Sequence, residues 1–83
     1  MAKARKRIRS ARLAKLRPNL NDREIKTLTW AARGMTSTQI AQRLGMVKRT
    51  VDFHIDNARI KLGAATRSQA AVRAATLRLI EPY

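Results

Sequence analysis

Between residues 21 and 69 the chain writes the start of a short helix three times. In each case a side-chain acceptor stands three residues before Glu or Gln: Asn21 and Glu24, Thr36 and Gln39, Thr66 and Gln69. This is the capping-box pattern, in which the two side chains satisfy each other's free backbone N–H groups. The only three glycines, Gly34, Gly45 and Gly63, fall where an apolar stripe of helical period runs out. Glycine there takes the left-handed conformation that ends a helix. Starts and stops this close together predict four short helices, over 22–33, 37–44, 48–62 and 67–79. No alternation of apolar and polar residues lasts long enough for a strand, and no internal repeat is visible. The fold class is therefore all-α.

Apolar periodicity assigns faces to these helices. In the first, Ile25, Leu28, Thr29 and Ala32 form the apolar stripe of a half-buried helix. In the second, Ile40, Ala41 and Leu44 point inward. In the third, at 100° per residue, Val47, Val51, His54, Ile55, Ala58 and Leu62 fall within roughly 100° of arc, a core face. Lys48, Arg49, Asp52, Phe53, Asp56, Arg59 and Ile60 fall within roughly 140° on the other side. The fourth is rich in alanine, with Ala70, Ala71, Ala74 and Ala75, which favours helix and lets two backbones approach closely.

Composition removes whole classes of function. The 83 residues fit one small domain with at most one tail. There is no cysteine and one histidine, so thiolate zinc sites, disulfides and two-histidine mechanisms are excluded. The five acids are scattered, with no carboxylate cluster around a substrate. No enzyme activity, metal or cofactor is expected. No apolar run approaches the ~18 residues of a membrane span, and a secretory signal block is missing from the first 18 residues. The expected compartment is the cytoplasm, at the bacterial nucleoid.

Charge points to a polyanion. Nineteen Lys and Arg against five acids give a formal net charge of +14. Residues 1–18 hold eight of those bases and no acid, too few apolar residues for a core, and Pro18 at their end. They are read as a basic arm or linker, with 19–83 as the folded domain. A field this strong attracts DNA, RNA or an acidic membrane and does not choose among them.

The turn between the second and third helices chooses. It is only Gly45-Met46-Val47, and two small helices joined by a short Gly-containing turn form a helix-turn-helix. In that motif the second helix enters the major groove while the first crosses the backbone.

At this point the residues match a family. Leu20-Asn-Asp-Arg-Glu, Trp30-Ala-Ala-Arg-Gly, Thr36-Ser-Thr-Gln-Ile-Ala-Gln-Arg-Leu, Thr50-Val-Asp-Phe-His, Lys61-Leu-Gly-Ala and Arg67-Ser-Gln-Ala follow one another in order. Together they resemble the LuxR-type helix-turn-helix domain over about residues 19–80, three quarters of the chain. Trp30, Phe53-His54, Asn57 and Gln69 look most like its quorum-sensing branch, whose members bind acyl-homoserine lactones. The resemblance implies a four-helix domain, a third helix that reads DNA and a fourth that forms the dimer contact. It also implies a large domain ahead of this one, which 18 basic residues cannot hold. The chain is thus read as an excised domain with its linker or as a short stand-alone member, Met1 being compatible with both.

The candidate DNA-binding residues follow. Lys48 and Arg49 are expected on phosphate or base edges, against the plain alternative of a solvated basic face. Asp52 and Asp56 stand where family members read bases. They either accept from cytosine or pair within the helix, Asp52 with Lys48 or Arg49 and Asp56 with Arg59. Phe53 and Ile60 either touch thymine methyl groups or, in the case of Phe53, fold over the core rim. Thr36, Ser37 and Thr38 open the second helix, where free N–H groups favour a phosphate. Arg59, Lys61 and Arg67 are expected on the DNA backbone, with Arg43 a weaker candidate. His54 is read as a core histidine hydrogen-bonded to a backbone carbonyl, and Trp30 as a partly buried packing residue with a phosphate bond as its alternative. Val47 departs from the Ser or Thr that the family resemblance implies as the third helix's N-cap, which predicts a frayed helix start. Ala71, Ala74, Ala75 and Arg78 are expected at the dimer contact.

The sequence therefore predicts sequence-specific binding to double-stranded DNA by a transcription regulator, as a homodimer on a two-fold site. One rival is a short antagonist that forms heterodimers with related full-length regulators. Another is a non-specific nucleic-acid binder driven by the arm.

Overall fold

A computed structural model describes residues 18–81; all of the basic arm (1–18) but Pro18, and residues 82–83, lie outside it. The described residues form four helices and no strand: α1 (Asp22–Ala32), α2 (Ser37–Leu44), α3 (Lys48–Lys61) and α4 (Arg67–Thr76). The chain belongs to the all-α class. Helix α3 packs against each of the other three, most extensively α1.

The local signals form largely as the sequence predicts. Asn21 with Glu24 and Thr36 with Gln39 make complete capping boxes. The third box is incomplete. Thr66 accepts from the Gln69 backbone N–H, but the Gln69 side chain reaches past the cap and accepts from Ala65 N at 2.7 Å. Gly45 adopts φ +67°, and Met46 N donates to Ala41 O at 2.9 Å, closing the turn that aims α3.

The last helix stops three residues earlier than periodicity suggests. Leu77 is its C-cap, and Arg78 takes the left-handed conformation (φ 57°) that glycine supplies elsewhere. Arg78 N donates to Ala75 O and Leu79 N to Ala74 O, completing the terminal turn. The reversal sends Ile80 into the core. The gain in burial accounts for a strained arginine that no sequence pattern marks.

The core is small and rich in alanine. Leu28, Ile40, Val51, Ile55, Ala58, Ala70 and Ala74 are essentially inaccessible, with Leu20, Leu62, Ala64 and Ile80 closing its ends. Helix α4 buries little more than methyl groups, so it can lie close to its neighbours. Two face assignments change. In α1 the buried residues are Glu24, Thr27 and Leu28, while Ile25, Thr29 and Ala32 are only partly covered. Thr27 tolerates burial because its hydroxyl donates to Arg23 O at 2.8 Å. Val47, placed on the core face by helical projection, is exposed because it precedes the helix in extended backbone. No helix among the described residues is long and apolar enough to cross a membrane.

Candidate nucleic-acid interface

The outward face of α3 carries Lys48, Arg49, Phe53, Asp56 and Ile60, all exposed. Phe53 and Ile60 keep 60% and 61% of their surface accessible, so Phe53 does not fold over the core rim. Its ring instead meets the edge of His54, 5.5 Å between centroids. Phe53 and Ile60 both stand on the side of α3 away from the buried Val51, Ile55 and Ala58.

Asp52 sits at the junction of three helices. Its Oδ1 accepts from the hydroxyl of Ser37, the first residue of α2. Its Oδ2 accepts from Lys48 Nζ at 3.2 Å. Arg67, the first residue of α4, places Nη1 3.7 Å from Asp52 Oδ1 and donates to Ser37 Oγ at 2.6 Å. The Ser37 hydrogen bond above all, with the Lys48 and Arg67 cations, holds the Asp52 carboxyl below the usual carboxylate value despite slight desolvation. The expected Lys48 partner is present, and Arg49 makes no ion pair with Asp52. Asp56 pairs with Arg59, as expected, at 2.8 Å.

The remaining cations divide. Arg59 also donates to Ala64 O at 2.9 Å, which ties it to the loop after α3. Lys61 lies on the other flank, where Nζ donates to the buried Glu24 carboxylate at 2.8 Å and to Asn19 O at 3.3 Å. Arg49, by contrast, forms no hydrogen bond or ion pair with the described residues. At the start of α2, Ser37 is buried and engaged by Asp52 and Arg67. Thr36 uses its side chain as the helix cap, and Thr38 is exposed.

His54 does not make the expected bond to a backbone carbonyl; its Nε2 is buried without a partner among the described residues. Trp30 is half-buried, and the Arg33 and Arg43 guanidinium groups both stack on it, 4.8 and 4.4 Å from its ring centroid. Arg43 thereby acquires a partner that sequence spacing did not suggest. Arg73 was also missed: it donates to the carbonyls of Leu62 and Gly63, tying α4 to the end of α3. Nothing in the sequence singles it out from the other arginines. On α4, Ala74 is fully buried in the chain's own core and has no surface for a partner. Ala71 and Ala75 are half-buried and Val72 is exposed, while Arg78 is exposed beyond the helix end, after the C-cap Leu77, and not on the helix with the alanines. Among the described residues there is no cluster of metal-ligating side chains.

A family model described as bacterial regulatory proteins of the luxR family matches residues 18–74. The chain is 44% identical over 61 residues to the transcriptional activator protein AnoR of Acinetobacter nosocomialis, covering 74% of this chain and 26% of that protein. It is 44% identical over 70 residues to the transcriptional activator protein VanR of Vibrio anguillarum, covering 84% and 29%. It is 45% identical over 64 residues to the HTH-type quorum sensing-dependent transcriptional regulator RpaR of Rhodopseudomonas palustris, covering 77% and 26%. The chain thus spans about a quarter of the length of these relatives.

Proposed function

Because the chain belongs to the luxR family of bacterial regulatory proteins, we propose that it binds double-stranded DNA sequence-specifically as part of transcription regulation. Helix α3 enters the major groove, and α2 crosses the backbone with its N-terminal turn toward a phosphate. Lys48, Arg49 and Phe53 lie on the entering face; Arg67 and Thr38 flank it. The observation that carries this reading is the exposed face of α3, where Phe53 and Ile60 stand in water beside Arg49, unpaired among the described residues, on a chain of net charge +14.

The protein acts as a two-fold dimer on half-sites about one helical turn apart. The contact is made by the outward side of α4, where Val72 is exposed and Ala71 and Ala75 contribute their open edges, together with Leu77 and Arg78 just past its end. This face has little apolar bulk. The free protein is therefore monomeric at micromolar concentration and pairs on DNA. The antagonist reading drew on Asp52 and Asp56 as acids on the DNA-facing side. Both are ion-paired within the chain, so that motive is weaker than the sequence suggests.

Selection of bound duplexes from a random pool at about 0.15 M salt tests the reading, since non-specific affinity is then only ~10⁻⁴–10⁻⁶ M. A two-fold-symmetric motif is the expected result. Binding at low salt with no enriched sequence would refute it.

A further inference from the structure

We propose that Arg49 and Phe53 are the residues of α3 that read base edges, and that Asp52 and Asp56 are internal braces withheld from the DNA. The inference rests on the DNA-binding reading and specifies which bases that surface selects.

The argument starts from what each side chain already holds. A carboxylate reads cytosine by accepting from its N4 amino group. To do so, Asp52 would surrender the Ser37 hydroxyl and the Lys48 ammonium and leave Arg67 without its neighbouring charge. Ser37 is buried, so its hydroxyl would not regain those bonds from water without opening the junction of α2, α3 and α4. Asp56 is joined to Arg59, which is itself half-buried and anchored to Ala64 O. Both acids therefore have bonds to lose, and both repel the phosphates on either side of the groove. Their work is to fix cations: Asp52 gathers Lys48 and Arg67, and Asp56 holds Arg59 further along the helix.

Arg49 and Phe53 have nothing comparable to lose. Arg49 is exposed and makes no hydrogen bond or ion pair with the described residues. Phe53 is one turn further on the same face. Both lie in the N-terminal half of the helix, the part that reaches base edges in this motif, whereas Ile60 lies in the last turn. A guanidinium presents a fork that matches guanine O6 and N7, and an exposed ring packs on the thymine methyl. Four residues of helix rise about 6 Å, and base pairs stack ~3.4 Å apart. The half-site should therefore carry a guanine and a thymine within about two base pairs of each other.

The test uses the full chain and the duplex that it selects from a random pool. Failure of the native protein to select any sequence removes the DNA reading itself and this inference with it. Given a selected site, Arg49→Ala should lower discrimination at the guanine about 5- to 150-fold, leaving the other positions as they were. Replacing the thymine by deoxyuridine removes only a methyl group and should weaken native binding about 4-fold, with Phe53→Ala insensitive to the change. Asp52→Asn and Asp56→Asn should select the same sequence as the native protein. A cytosine preference that vanishes in either Asn variant would overturn the inference, as would guanine discrimination that survives Arg49→Ala. Arg49 and Phe53 are exposed, and the deoxyuridine comparison needs no variant, so neither result depends on how well the Asn variants fold.

Discussion

Lys61 was expected on the DNA backbone, yet its ammonium is committed to Glu24, and Lys61→Met separates the two roles. The variant keeps an apolar stem and removes the charge. Glu24 is 2% exposed, and its Oε1 accepts from Lys61 Nζ at 2.8 Å and from Asn21 N at 2.9 Å. Removing one partner of a buried pair costs about 3–5 kcal/mol. Here the cost is lower, for two reasons. Glu24 keeps its capping bond in the first turn of α1, where the helix dipole favours an anion by about 0.3–1 kcal/mol. The Lys61 side chain is 41% exposed, so water reaches the vacated space. The expected loss is about 2 kcal/mol, a fall in Tm of about 8–16 °C for a domain this small.

Thermal and urea unfolding of the four members of a double-mutant cycle measure it. Glu24→Gln drops the charge and keeps the capping box, because Gln serves at that position as well as Glu. In the Glu24→Gln background, Lys61→Met should cost no more than about 0.5 kcal/mol, giving a coupling of about 1.5 kcal/mol. The DNA affinity of Lys61→Met, measured well below its Tm, should keep the native salt dependence. A loss of stability under about 0.5 kcal/mol, together with a salt slope reduced by about 1, would refute the reasoning and make Lys61 a phosphate contact.

Three further outcomes are expected. Val47 stands in N-cap geometry with no side-chain bond and is exposed; Val47→Ser should add about 0.5–1 kcal/mol. In the native protein, amide exchange at Lys48 to Thr50 should be faster than at Ile55, and equal protection would contradict this. Arg78→Gly should relieve the left-handed strain at φ 57° and raise stability by about 0.5–1 kcal/mol, as read from the urea midpoint. For Asp52, the folded carboxyl titrates below its unfolded value. Its contribution is therefore present above about pH 4 and lost as pH falls through the lower folded value. Native protein and Asp52→Asn should converge in stability as pH falls through the lowered folded value, the difference above that staying under about 1 kcal/mol because the side chain is 42% exposed. A stability gap that widens on acidification would have the wrong sign.

The helices, two of their capping boxes and the tight turn before α3 were legible in the sequence because all are made by residues within about four positions of each other. Such signals survive without knowledge of packing. The same holds for the outward face of α3, since a 3.6-residue period separates Phe53 and Ile60 from Val51, Ile55 and Ala58 whatever lies opposite. What the sequence could not place were groups joined across the fold. Ser37 and Asp52 are 15 residues apart, Ser37 and Arg67 30, and Glu24 and Lys61 37. Any of the nineteen bases could have served those acids, and only the angles at which α1, α2 and α4 pack on α3 select Lys61 and Arg67. The same packing explains the misplaced ends and faces. Arg78 bears a left-handed backbone because Ile80 reaches the core beyond it, and Thr27 goes inside because its hydroxyl finds Arg23 O within its own helix. Local hydrogen bonding wrote the helices into the chain. The competition among like charges for the buried Glu24 and the partly covered Asp52 was resolved only once the helices came together.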